Sequence, residues 1–124
     1  MGMTADVGTL QRLPKLIGDG LVRELAYTGR KFASDEAERS GLVNRVFESP
    51  EKLLQGVMQI AADIASKSPL AIRGTKEMIL YARDHSVADS LNYIATWNAA
   101  MLMSSDLQEA MMAGMQKKPP TFND

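Results

Sequence analysis

The chain has 124 residues, and its 14 lysines and arginines nearly balance its 15 aspartates and glutamates, giving a formal net charge of −1. This length fits a single domain, and the charge balance excludes a broad basic surface for nucleic acid or for anionic lipid. The absence of cysteine excludes disulfides, thiolate nucleophiles and zinc–thiolate sites, and the single histidine argues against a histidine metal site or a Ser–His–Asp triad.

The beginning of the chain predicts short helices separated by turns. One helix is predicted over residues 9–17, with a late interruption at Pro14, whose ring cannot continue the helical hydrogen bonds. A second helix is predicted over residues 21–27. The sequence Thr28–Gly29–Arg30 then turns the chain.

A third short helix and a strand are predicted next. Ser34 caps a helix that runs to Arg39, and Gly41 ends it in the left-handed conformation that glycine adopts most easily. Residues 42–47 alternate between apolar and polar side chains after Leu42, which predicts a short strand. One strand cannot form a sheet alone, so its partner strands must lie elsewhere.

The rest of the chain has the apolar period of amphipathic helices. Four are predicted, with starts marked by Ser–Pro pairs or serine caps and a stop at Pro119–Pro120: residues 51–66, 69–83, 87–102 and from 105 onward. The fold class is therefore mainly α with one or two short strands. No stretch has the roughly 18 apolar residues of a membrane helix, so we expect no membrane insertion.

Asp6 is the first candidate for chemistry. It lies among small residues ahead of the first helix, in the sequence Thr4–Ala5–Asp6–Val7–Gly8. The simpler interpretation is a helix N-cap, because an aspartate oxygen accepts the free N–H groups of a first helical turn. The functional interpretation is an acid/base carboxylate that a substrate can approach closely.

Other candidates have stronger structural explanations. His85 follows Asp84 between two predicted helices and is interpreted as a solvated hydrogen-bond partner rather than a catalytic group. The methionines are expected to pack in the core or at an interface, and Trp97 is expected to pack or to cover a groove. Lys117 and Lys118 either favour the dipole at a helix end or anchor a phosphate group.

Several blocks of the sequence resemble the Δ3,5-Δ2,4-dienoyl-CoA isomerases, a branch of the crotonase (enoyl-CoA hydratase/isomerase) superfamily. The resemblance covers nearly the whole chain. The blocks typical of the isomerase branch are residues 5–18 (ADVGTLQRLPKLIG), 81–87 (YARDHSV), 90–93 (SLNY) and 97–98 (WN). The blocks typical of the superfamily are residues 28–30 (TGR), 41–43 (GLV), 66–71 (SKSPLA) and the tail around residues 117–122 (KKPPTF).

The resemblance implies an activity in fatty-acid β-oxidation, the conversion of 3,5-dienoyl-CoA to 2,4-dienoyl-CoA. In that family two carboxylates shuttle a proton between C2 and C6, while two backbone N–H groups stabilise the dienolate as an oxyanion hole. Asp6 matches the family's aspartate of the pair, and Lys117 matches a lysine that contacts a CoA phosphate. The resemblance implies no cofactor, with the CoA thioester as substrate.

In the family, the partner glutamate, the oxyanion-hole segments and most of the spiral β-sheet precede the region that this chain resembles. The resemblance therefore implies the C-terminal part of a crotonase fold. Residues 1–48 would form the end of its core with one active-site loop, and residues 49–124 the helical trimerisation and CoA-covering region. We expect these 124 residues to be inactive when assayed alone.

The resemblance further implies a homo-oligomer, a trimer or a dimer of trimers, in mitochondria or peroxisomes, although the chain shows no targeting signal. Two alternative functions remain open. One is enoyl-CoA hydratase, although hydratases use two glutamates and Asp6 therefore favours the isomerase. The other is a non-catalytic helical oligomerisation module, which the apolar helix faces, the methionines and Trp97 would suit.

Overall fold

The computed structural model describes residues 2–123, and within that range the secondary structure is helical, without strands. A single 3-10 turn, Leu13–Lys15, follows the first helix. The α-helices are α1 (Thr9–Arg12), α2 (Asp19–Thr28), α3 (Ser34–Arg39), α4 (Pro50–Ala65), α5 (Pro69–Tyr81), α6 (Val87–Met101) and α7 (Ser105–Met115). The chain divides into a unit that ends at Gln55 and a unit that begins at Gly56. No helix within residues 2–123 has the length and apolar character needed to cross a bilayer.

The helix starts confirm the predicted caps at Ser49, Ser68 and Ser86. The predicted cap at Ser34 is wrong, because Ala33 holds the N-cap position of α3 and no side chain caps that helix. The backbone N–H of Lys52 donates to Ser49 Oγ at 3.2 Å, with Pro50 opening α4. Ser68 accepts from the N–H of Ala71 at the start of α5. These hydroxyls satisfy donors that the first helical turn cannot pair internally.

The start of α6 repeats this device with an added contact. Ser86 Oγ accepts from the Asp89 N–H at 3.1 Å and lies 2.5 Å from Asp89 Oδ2. The Ser86 hydroxyl donates this second hydrogen bond, which therefore differs from a capping box, where the carboxylate would accept the backbone N–H of Ser86.

The predicted strand over residues 42–47 is wrong. Gly41 does adopt the predicted left-handed conformation, with φ of 82°. The N–H of Leu42 then donates back to Ala37 O at 2.9 Å, and the N–H of Val46 donates to Glu38 Oε1 at 3.0 Å. Helix α3 thus takes up two donors that a strand would give to a neighbouring strand, and the segment forms turns instead.

In the first unit, Arg30 connects the end of α2 to the start of α3. Its guanidinium contacts both oxygens of Glu36, at 2.8 and 2.6 Å, and Glu24 Oε1 at 2.7 Å. Gly29 has φ of 62°, which reverses the chain between the two helices. The predicted turn at residues 28–30 is therefore confirmed and is fixed by a bidentate ion pair.

In the second unit, α5 packs against α6 at a point of very close approach. A Cβ atom added to Gly74 would lie 2.6 Å from Trp97 Nε1. Glycine is therefore required on α5 for the indole of α6 to reach its backbone. The expectation that Trp97 packs against its neighbours is confirmed.

Few apolar side chains of the described residues are buried: Ile17, Val22, Ala37 and Ala113. Helix α4 contains no buried residue. Its apolar stripe leaves Leu53 at 47%, Val57 at 41% and Ile60 at 46% exposed. A stripe of this kind normally covers other apolar surface, and here it is exposed.

Candidate functional site

Asp6 lies in the exposed segment before α1. The structure places Gly8, with φ of 86°, at the N-cap position of α1, so the simpler interpretation of Asp6 as an N-cap is wrong. Two residues separate the carboxylate from the helix, and the Arg12 side chain folds back over Gly8, 3.5 Å from where a Cβ would be. Asp6 is thus an exposed carboxylate with two residues between it and α1.

Lys117 lies just beyond the end of α7, which stops at Met115, earlier than the predicted stop at Pro119–Pro120. Lys117 has φ of 56°, the only positive φ of a non-glycine residue within residues 2–123. The N–H of Lys117 donates to Gly114 O at 3.1 Å, and that of Lys118 donates to Ala113 O at 2.9 Å. This pair of bonds is a Schellman cap, whose left-handed position is usually glycine.

A cleft of about 480 Å³ lies in the second unit between α5, α6 and α7. Its walls are mostly apolar, including Met78, Ile94, Trp97 and Leu107. Its polar lining residues include Ser68 and Asp106, whose side chains are joined by a 2.5 Å hydrogen bond. The size and lining are those of small-molecule pockets or of a surface that another helix covers.

The Ser68–Asp106 hydrogen bond joins the beginnings of two helices. Ser68 Oγ accepts the Ala71 N–H of its own helix and donates to Asp106 Oδ2 in the first turn of α7. The carboxylate therefore lies where two helix N-termini favour negative charge. The sequence did not reveal this contact, because the two residues are 38 positions apart.

His85 lies beyond the end of α5. Its ring stacks on Tyr81 with centroids 3.6 Å apart, and Nδ1 lies 2.8 Å from both Tyr81 O and Asp84 Oδ1. The hydrogen-bonding interpretation of His85 is consistent with these contacts.

Tyr93 extends the aromatic cluster, with its ring centroid 4.6 Å from that of Tyr81. Burial, and then the negative charge of Glu77, raises the pKa of the Tyr93 phenol above 10.0. The Tyr93 hydroxyl donates to Glu77 Oε1 at 3.4 Å. Within the described part of the chain, no cluster of three or more histidine, aspartate or glutamate side chains could hold a metal ion.

Comparison with known proteins places the chain in a family. The enoyl-CoA hydratase/isomerase family profile matches residues 1–124. The chain therefore belongs to the enoyl-CoA hydratase/isomerase family, the crotonase superfamily, as its sequence blocks predict.

Among curated relatives, the resemblance to the isomerase branch is confirmed. The chain is 55% identical over 119 residues to the mitochondrial Delta(3,5)-Delta(2,4)-dienoyl-CoA isomerase of Homo sapiens, covering 95% of this chain and 36% of that protein. It is 50% identical over 122 residues to the peroxisomal enzyme of Arabidopsis thaliana, covering 98% of this chain and 44% of that protein. The chain thus spans less than half the length of these relatives.

Solved structures support the same fold. An enoyl-CoA hydratase from Bacillus anthracis superposes with a TM-score of 0.91 at 32% identity, over 98% of this chain and 46% of that chain. Another from Mycobacterium marinum superposes with a TM-score of 0.88 at 30% identity, over 98% and 48% of the two chains. The helical arrangement is therefore that of part of a crotonase fold.

Proposed function

We propose that this chain forms part of an acyl-CoA double-bond isomerase that converts 3,5-dienoyl-CoA to 2,4-dienoyl-CoA. The observation that carries the proposal is the 50–55% identity to proteins named as such isomerases, over at least 95% of the chain. Their mitochondrial and peroxisomal names support one of those two compartments for this protein.

In the proposed mechanism, Asp6 is one member of a pair of carboxylates. One member, ionised, removes a proton from C2 of the substrate, and the other, protonated, delivers a proton to C6. The dienolate that forms between these steps carries charge on the thioester oxygen, and two backbone N–H groups stabilise it. The resemblance assigns the second carboxylate and those N–H groups to family segments that precede this region, so 124 residues assayed alone should show no turnover.

Lys117 is proposed to contact a phosphate of CoA. Its exposed position at the helix end, next to Lys118, supports this assignment, since an ammonium group at the surface binds phosphate oxygens as a point charge. A homo-oligomer, either a trimer or a dimer of trimers, is proposed from the same resemblance, with the exposed face of α4 as support.

The isomerase proposal is tested with a chimera in which these residues replace the matching segment of the human mitochondrial isomerase. We expect the chimera to form 2,4-dienoyl-CoA, measured by its ultraviolet absorbance. The substitution Asp6→Asn should lower kcat by about 100-fold or more, the usual contribution of a proton-transfer group. Asp19→Asn, at an exposed aspartate paired with Arg23, is the matched control and should leave kcat unchanged. Full activity of the Asp6→Asn chimera would exclude the assigned role.

The first alternative is enoyl-CoA hydratase, which the names of the superposed structures favour. Offering crotonyl-CoA to the same chimera separates the two reactions, because only a hydratase adds water to it. The second alternative is a non-catalytic helical oligomerisation module, which the unburied α4 favours. That role predicts self-association of the chain without any dependence on acyl-CoA.

A further inference from the structure

The tail that follows α7 is held at three points. The Schellman cap fixes Lys117 and Lys118. Glu109 Oε1, on α7, accepts the backbone N–H of Thr121 at 3.1 Å. The half-buried Phe122 lines a groove of about 250 Å³ together with Ile64, Pro69 and Ile72.

Two prolines connect the anchored Thr121 rigidly to the two lysines. Pro119 and Pro120 lie between Lys118 and Thr121, and each has a fixed φ and restricts the residue before it to extended conformations. The connection is therefore stiff, so anchoring Thr121 also restricts where Lys118 and Lys117 point. A flexible connection of the same length would not transmit the constraint.

The conformation of Lys117 costs free energy. A left-handed backbone is unfavourable for a residue with a Cβ, and glycine would remove this cost. A charged side chain stands there at φ of 56°. Backbone strain held by surrounding contacts is typical of positions where the side chain serves binding.

We infer that Glu109 is a positioning residue, which holds the tail so that Lys117 is preorganised for an anionic ligand. This inference rests on the proposed contact between Lys117 and a CoA phosphate. Glu109 acts through the tail and not on the ligand: its carboxylate accepts the Thr121 N–H. Preorganisation raises affinity because less conformational freedom is lost on binding.

The test measures binding of CoA, and of pantetheine, which lacks the CoA phosphates, to the chimera described above by calorimetry. Lys117→Ala should weaken CoA binding roughly tenfold, as expected for one charge-assisted hydrogen bond, and leave pantetheine binding unchanged. Glu109→Ala should weaken CoA binding by a comparable factor. Glu109→Gln keeps an acceptor oxygen, so its affinity for CoA should remain within about twofold of that of the protein without substitutions.

A double variant separates positioning from a general structural role. If Glu109 acts through Lys117, then Glu109→Ala combined with Lys117→Ala should bind CoA no more weakly than Lys117→Ala alone. The rate of trypsin cleavage after Lys117 measures independently how firmly the tail is held by the bond between Glu109 and Thr121. Cleavage should be faster in Glu109→Ala than in Glu109→Gln. Fully additive losses, or faster cleavage with unchanged CoA affinity, would overturn the positioning role.

The outcomes also separate this inference from the proposed function. CoA binding that Lys117→Ala does not weaken would refute the phosphate contact and, with it, the positioning inference. CoA binding that depends on Lys117 but not on Glu109 would retain the phosphate contact and refute the positioning inference alone.

Discussion

The absence of a side chain at Gly74 allows α5 and α6 to pack closely. A glycine inside a helix is unfavourable by about 1 kcal/mol relative to alanine. Here that cost is offset because the Trp97 indole approaches the helix backbone, with Nε1 2.6 Å from the position of a Cβ. The indole is rigid and belongs to a neighbouring helix, so it cannot yield as a flexible side chain would.

We therefore expect Gly74→Ala to destabilise the chain by about 1–2 kcal/mol, since an overpacking cost of roughly 1–3 kcal/mol exceeds the gain in helix propensity. Gly114→Ala is the matched control. Nothing lies within 4 Å of a Cβ at Gly114, so this substitution in α7 should stabilise by up to about 1 kcal/mol. Urea unfolding measures both, and equal effects of the two substitutions would contradict the packing argument.

The ion pair between Arg30 and Glu36, which connects the end of α2 to the start of α3, can be broken by lowering the pH until the carboxylate is protonated. The Arg30 guanidinium hydrogen-bonds to Glu36 and lowers the pKa of that carboxyl below 4.5. A folded-state pKa below the unfolded-state value means that the ionised carboxyl stabilises the fold. This contribution is complete at pH values above about 4.5 and is lost as the pH falls through the folded-state pKa.

Glu36→Gln should consequently flatten the fall in unfolding free energy between pH 4.5 and lower pH. Arg30→Ala removes the same ion pair together with the contact to Glu24, so adding Glu36→Gln to Arg30→Ala should flatten the slope no further. The measurement is urea unfolding between pH 7 and pH 3. An unchanged acid slope in both single variants would show that the ion pair does not contribute.

Ser68 combines two roles at the start of α5, so its loss should cost more than that of a serine with one role. Ser68→Ala removes an N-cap worth about 1 kcal/mol and also the bond to Asp106. Ser104→Ala removes only the cap that accepts the Leu107 N–H of α7. We expect the first variant to be about 1 kcal/mol less stable than the second, since hydrogen bonds to charged groups exceed neutral ones.

A double-mutant cycle with Asp106→Ala measures the bond between the helices directly. We expect a coupling free energy of about 0.5–3 kcal/mol between Ser68 and Asp106, the range of contacting polar pairs. Additive effects would show that the 2.5 Å contact has no energetic consequence.

At the scale of the whole molecule, many large apolar side chains of residues 2–123 are exposed, whereas few are buried. Large apolar side chains with more than half their surface exposed are found along the helices and loops, among them Leu54, Met58, Leu91 and Met103. We expect the purified chain to self-associate in size-exclusion chromatography with light scattering. Val57→Glu on the apolar stripe of α4 should weaken this association, whereas Gln59→Glu should not. A monomer at every concentration would contradict the expectation.

Local sequence was sufficient where a structure depends on neighbours along the chain. The caps at Ser49, Ser68 and Ser86 and the left-handed Gly41 were predicted correctly, because each satisfies backbone groups within a few residues. The family resemblance was also available from the sequence, since it depends on residue order alone.

Tertiary structure decided the rest. The alternation in residues 42–47 predicts a strand, yet α3 and Glu38 take the backbone donors of Leu42 and Val46. The contacts between Gly74 and Trp97, and between Glu109 and Thr121, join positions that no local pattern relates. The periodicity of the sequence indicates which face of a helix is apolar. Which side chain packs against that face depends on how the chain folds, because the two residues lie far apart in sequence.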